Sequence, residues 1–377
     1  MKKIICLLLT ICLLLSLVAC KSGKTDPTES GSSQTGTNQE SENTNQQAAP
    51  QPLIAVSVPA VTEDTVAEDG TVLFQYTYQS MSLVLNKPEV ADKVILDFLN
   101  RVDSTKDAAN TTAEMAKTAY KGNSSWSAYL YHVTYSPARI DNNVLSLFGN
   151  NVVFSGAGHP ERTCVSASYD LQTGDVLTLA SVMDKDATTE DFSKLVLNSL
   201  SEMAEGDYLY ENYAETVKQR FATDPSQDEA WYFTQTGICF YFAPYEIAPY
   251  SSGVITVEIP YEKTVNILHD AYLPEARDKA NGTATVTPFE SVNQDDFSHI
   301  AEIITHKDGD MYMVGTDGSV QNVRITLTDN ASNYTVFAAY NLSAGDGIMV
   351  QASQDALQKM KLSYKTGNET VTVKLAK

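Results

Sequence analysis

Basic residues are scarce in this sequence: 26 Lys and Arg stand against 47 Asp and Glu, a formal net charge of −21. That balance excludes a protein that neutralises phosphates with a basic surface, so no nucleic-acid partner is expected. Histidine is scarcer still. His132, His159, His269, His299 and His306 form no H-x-x-x-H or H-E-x-x-H pair, so no helical zinc site is indicated, and neither a metal nor a cofactor is expected. Neither Cys164 nor Cys239 lies in a C-x-x-C, which removes zinc ribbons and thioredoxin-like motifs. A G-x-S-x-G elbow is missing, so the ordinary α/β-hydrolase reading fails. Asp184-Lys185-Asp186 with Asp191 lacks a sixth-position glycine and carries Leu195 at the twelfth, so it is not an EF-hand loop. With no catalytic motif, the chain is expected to be non-enzymatic. What it does have is 43% hydrophobic residues over 377 positions, enough for real cores and for two or three domains.

The N-terminus carries an address. Lys2 and Lys3 precede an apolar run from Ile4 to Val18 that is too short and too early for a comfortable membrane span. The run ends on Leu17-Val18-Ala19-Cys20, which resembles the bacterial lipobox. That resemblance implies a signal peptide over 1–19, lipidation of Cys20, and membrane partnership through the lipid. The location implied is the outer face of the cytoplasmic membrane, in a bacterium of the Gram-positive type. From 20 to 52 the chain is polar and lacks aromatic residues, so it is expected to be a disordered tether. As a flexible coil it would span about 30 Å, and about 110 Å pulled straight. Outside a cell Cys164 and Cys239 are compatible with one disulfide or with two separate buried thiols, and spacing leaves both readings open.

The body reads as α+β. Residues 53–86 look extended around a turn at Asp69-Gly70. Val90, Val94, Ile95, Phe98 and Leu99 then recur at helical spacing, predicting helix from Pro88 to about 120 with a break near Asn110. Strand patterning over 126–135, 144–154 and 163–169 completes an antiparallel sheet with a helix on one face, a first unit at 53–169. A second α+β unit at 170–274 has helices starting at Thr188 and Tyr213, strands at 231–233, 238–242 and 254–259, and a helix from Pro260 through His269. After a Thr-rich connector, short strands punctuated by Asp308-Gly309, Asp317-Gly318, Asp346-Gly347 and Thr366-Gly367 predict a small all-β, sandwich-like domain at 285–377, with one short helix over 353–360.

Phe242-Ala243-Pro244-Tyr245-Glu246-Ile247-Ala248-Pro249-Tyr250-Ser251-Ser252-Gly253, closing on Val257-Glu258-Ile259-Pro260-Tyr261, carries a resemblance. With Gly156-Ala157-Gly158-His159-Pro160 and the strand-turn element Tyr169 to Leu179, it resembles the extracytoplasmic domain family found in the lysozyme-sensing anti-sigma factor RsiV and ahead of the catalytic domain of the peptidoglycan deacetylase PdaC. The likeness covers roughly 55–272 and stops short of 285–377. It implies an extracellular binding module at the cell wall, with lysozyme, another basic muramidase or cell-wall fragments as partners. No transmembrane anti-sigma segment or deacetylase domain accompanies it here, so neither of those activities is carried over.

Physically, Pro244, Pro249 and Pro260 stiffen the loop, while Tyr245 and Tyr250 offer large amphipathic rings. Those rings either anchor a ligand or pin the loop to its own domain. His159 is a candidate ligand-binding residue or a turn histidine. Between Asp170 and Ala230 there are 14 acidic residues against Lys185, Lys194, Lys218 and Arg220, with Glu202, Glu205 and Asp207 as candidate steering charges for a basic partner. The leading expectation is a lipid-anchored binding protein acting as decoy, inhibitor or sensor component. The alternatives are an enzyme or accessory acting on peptidoglycan and a solute-binding lipoprotein; the missing βα alternation speaks against the last.

Overall fold

The computed structural model describes residues 54–122, 125–156, 158–203, 208–226, 230–274, 284–288, 302–305, 311–315, 320–329, 332–342, 346–351 and 354–375. The signal peptide, Cys20, the tether, Glu205, Asp207 and the turns at Asp308 and Asp317 lie outside these residues.

Strand β1 (Ala55–Ser57) is followed by β2 (Ala60–Val66), β3 (Val72–Gln79) and β4 (Ser82–Val84). Helix α1 (Pro88–Asp103) starts on a proline, whose missing N–H costs nothing in a first turn, and α2 (Lys106–Ala119) continues it. The break falls at Ser104–Thr105 rather than near Asn110. There the two hydroxyls bond back to the Arg101 and Val102 carbonyls, at 2.7 Å each, and compete with the helical ladder. α1 buries Val90, Val94, Phe98 and Val102 at i, i+4 spacing. Then come β5 (Tyr129–Ile140), β6 (Val144–Phe154) and β7 (Glu161–Asp170), in a five-stranded sheet ordered β2-β3-β5-β6-β7. One pairing departs from the expected antiparallel sheet: β3 and β5 run parallel, because the α1–α2 pair forms the crossover between them. Tyr131, Val133 and Tyr135 point from β5 into a core shared with Phe98.

The next stretch holds α3 (Leu179–Val182), α4 (Thr189–Met203) and α5 (Tyr213–Phe221), then a three-stranded sheet of β8 (Trp231–Phe233), β9 (Gly237–Phe242) and β10 (Ile255–Pro260). Phe192, Val196, Leu200, Val217 and Phe221 from the helices pack on Trp231, Phe233, Phe240 and Phe242. The helix expected from Pro260 to His269 does not form. A single 3-10 turn at Tyr261–Lys263 ends as the Thr264 hydroxyl bonds the Tyr261 carbonyl at 2.9 Å, and Asn266 takes a left-handed φ of 63° that no helix tolerates.

The two halves are joined by buried polar contacts. Arg139, fully buried on β5, donates through Nε to Asp141 at 2.6 Å and through Nη1 to the Tyr261 hydroxyl at 2.8 Å and the Tyr272 carbonyl at 2.6 Å. Ser146 on β6 accepts the Phe233 N–H at 2.9 Å and bonds Ser168 at 2.8 Å. The line drawn in sequence at 169/170 is therefore no gap in the fold.

The remaining strands are β11 (Ala284–Pro288), β12 (Glu302–Thr305), β13 (Met311–Gly315), β14 (Val320–Asp329), β15 (Ser332–Leu342) and β16 (Asp346–Gln351), then α6 (Gln354–Gln358), β17 (Met360–Thr366) and β18 (Glu369–Lys374). They make a four-stranded sheet, β11-β16-β13-β12, and most of a six-stranded one, β18-β17-β14-β15-β1-β4. The C-terminal region is thus β-rich, and the whole is α+β. It is not self-contained at residue 285, because β1 and β4 complete its larger sheet: Val56 pairs with Thr335, and Ala55 joins the core of Ile325, Phe337, Met360 and Leu362.

Candidate functional site

The loop between β9 and β10 is built from its own backbone outward. The Glu246 carboxylate accepts the Ala243 N–H at 2.8 Å, the Tyr245 N–H donates to the Ala248 carbonyl at 3.0 Å, and the Tyr210 N–H donates to the Ile247 carbonyl at 2.9 Å. Ile247 and Ala248 are buried and plug the loop into its core. Pro249 then leads into a 3-10 turn, Tyr250–Ser252.

The two tyrosines have different jobs. The Tyr250 hydroxyl donates to the Pro160 carbonyl at 2.8 Å, so this ring pins the loop to the residue just before β7. Tyr245 is 58% exposed and sits at φ 72°, a left-handed conformation that costs a tyrosine roughly 1 kcal/mol or more. Its ring lies 5.5 Å from Tyr250, and Tyr250 lies 4.2 Å from the His159 ring on its other neighbour. Three residues nominated separately from sequence therefore form one stack. After β6, Gly156 takes a φ of 88°, and a Cβ there would come within 2.4 Å of the Tyr129 hydroxyl.

Of the steering charges, Glu202 is exposed in the last turn of α4, and the next described residues, Tyr208–Tyr210, run into the loop through the Tyr210–Ile247 bond. Cys164 and Cys239 are free thiols, Cys239 buried and Cys164 half-buried. Burial pushes the Cys164 thiol up to about 11 and Cys239 higher still, so neither is a ready nucleophile. Among the described residues no group of three or more His, Cys, Asp or Glu is arranged to hold a metal ion, and no helix is long and apolar enough to cross a membrane. Glu258 on β10 is a partly buried acid that sequence patterning did not single out. It accepts hydrogen bonds from Thr234 and, at 2.7 Å, from Thr236, yet desolvation still raises its pKa.

Residues 182–262 match DUF3298, a protein family of unknown function. The DUF3298 segment contains α4, α5, β8–β10, Tyr245, Pro249 and Tyr250, and leaves His159 to the preceding half of the fold. Among solved structures, a DUF3298 family member from Bacteroides fragilis aligns at 18% identity and TM-score 0.41 over 58% of this chain and 94% of its own. A second, from Pseudomonas aeruginosa, aligns at 15% identity and TM-score 0.43 over 60% of this chain and 99% of its own. No curated protein matches the chain.

Proposed function

We propose that this protein is a lipid-anchored binding protein of the bacterial cell surface, and that it recognises a basic wall-active protein such as lysozyme through the Tyr245–Tyr250–His159 stack. The observation that carries the reading is Tyr245. An aromatic ring held out to solvent on a strained left-handed backbone serves no core, and such strain is retained where a site uses it. Amphipathic rings of this kind are frequent anchors of protein interfaces. The net charge of −21 supports a basic partner, and the lipobox ending on Cys20 supports anchoring outside the membrane. No catalytic step is assigned.

Surface-binding kinetics of the full chain against lysozyme test this directly. The folded wild type should bind at micromolar concentration or below. Tyr245→Gly, which removes the ring and suits the backbone, should raise the off-rate by a factor corresponding to about 2 kcal/mol if Tyr245 is a hot spot. Wild-type protein that shows no binding at micromolar lysozyme overturns the lysozyme reading.

A further inference from the structure

A cavity of about 600 Å³ runs between the C-terminal end of α1, the β5–β6–β7 sheet and the inner side of the β9–β10 loop. Its charged lining among the described residues is Arg101, Arg220 and Glu246, and Asp97 forms an ion pair with Arg101, so this cleft is charge-balanced within a strongly acidic molecule. Arg220 is committed to the carbonyls of Tyr241 and Ala230, at 2.9 Å and 2.6 Å. Arg101 is different. Its Nε donates to Asp97 Oδ2 at 2.7 Å, and the same oxygen accepts the Tyr169 hydroxyl at 3.0 Å, which fixes the plane of the guanidinium. Among the described residues no bond to its two terminal amino groups is formed, and that is the edge a carboxylate grips in a bidentate pair.

A second observation is independent of the first. Asn151 on β6 also lines the cleft, and its Oδ1 is buried without any hydrogen-bond partner. A buried carbonyl left unmet costs about 1–3 kcal/mol, and because this atom is also closed to solvent, a ligand N–H meets it only once the amide turns toward the cleft. A third concerns β7, which is an edge strand and lines the same cleft. Thr163 and Val165 on one face and Cys164 on the other all border the cavity, so it passes the stretch of that edge before Ser168, where the 175–177 segment takes over the pairing.

We infer that this cleft binds a short extended peptide with a free carboxylate: the carboxylate on Arg101, a backbone N–H on Asn151 Oδ1, and the peptide lying along the edge of β7. The mode combines edge-strand pairing with carboxylate capture. It uses neither Tyr245 nor a protein partner, so it stands or falls apart from the lysozyme reading.

The test is calorimetric titration of the full-length chain with N-acetyl-trialanine as free acid, with its C-terminal amide, and with acetate. The free acid should bind about tenfold or more tightly than the amide or acetate, the scale of a charge-assisted bidentate pair. Arg101→Gln should bring the free acid down to the affinity of the amide and leave the amide unchanged, a pattern that a general loss of packing does not produce. Asn151→Leu, folded by circular dichroism, should weaken both peptides by the same factor. Equal binding of free acid and amide, or no heat at millimolar free acid with the folded wild type, overturns the proposal.

Discussion

At Tyr245 local strain and exposure meet in one side chain. Glycine occupies a φ of 72° without the Cβ clash, so Tyr245→Gly should stabilise the folded chain by up to about 1 kcal/mol while weakening ligand capture. Urea denaturation checks the first half, and a variant less stable than wild type would mean that the ring holds the loop. Glu258 is the complementary case of a partly buried group. Desolvation raises its folded-state pKa above the unfolded value, against the pull of Thr234 and Thr236. A folded state with the higher pKa binds the proton more tightly, so this contribution to stability is full below the unfolded pKa and is lost as pH rises through the folded one. Glu258→Gln keeps an acceptor for the two threonines and removes the charge. Its stability should be less pH-dependent above the ordinary carboxylate range than that of the wild type, measured by urea midpoints from pH 4 to pH 8.

Elements with a clean period were legible from the sequence. The strand Val144–Phe154, the helix Tyr213–Phe221 and the strand Trp231–Phe233 lie where alternation and helical spacing put them. What was not legible depended on single local contacts or on distant partners. The α1–α2 break rests on two hydroxyl–carbonyl bonds, and the absent helix after Pro260 on one left-handed asparagine. The stack was legible in part, since its three rings were nominated from motifs, but only the fold brings His159 onto Tyr250. The carboxylate cleft was invisible because Arg101 and Asn151 belong to elements with no pattern in common. The least legible feature is β1, whose pairing partner on β15 is far away in the chain. Val56 is fully buried there. Val56→Ala should cost about 2 kcal/mol, by analogy with other large-to-small core changes, and should lower amide-exchange protection along β14 and β15 as well as around β1. Loss of protection confined to 54–57 would contradict a shared sheet.

Across the whole molecule, 47 acidic groups against 26 basic ones set a long-range field that no single contact supplies. Such a field acts on encounter rather than on the docked state, so its signature separates from that of the rings. Glu202→Gln, Glu205→Gln and Asp207→Asn together remove three charges that precede, in sequence, the Tyr208–Tyr210 segment bonded to the β9–β10 loop. This triple variant should lower the on-rate for lysozyme and leave the off-rate nearly unchanged, whereas Tyr245→Gly should do the reverse. Raising salt should erase the difference between the triple variant and the wild type, because the screening length falls to about 8 Å at physiological ionic strength and shortens further above it. The measurement is association kinetics at two salt concentrations. A wild-type on-rate that ignores salt would remove electrostatic steering and leave the aromatic contact to account for recognition alone.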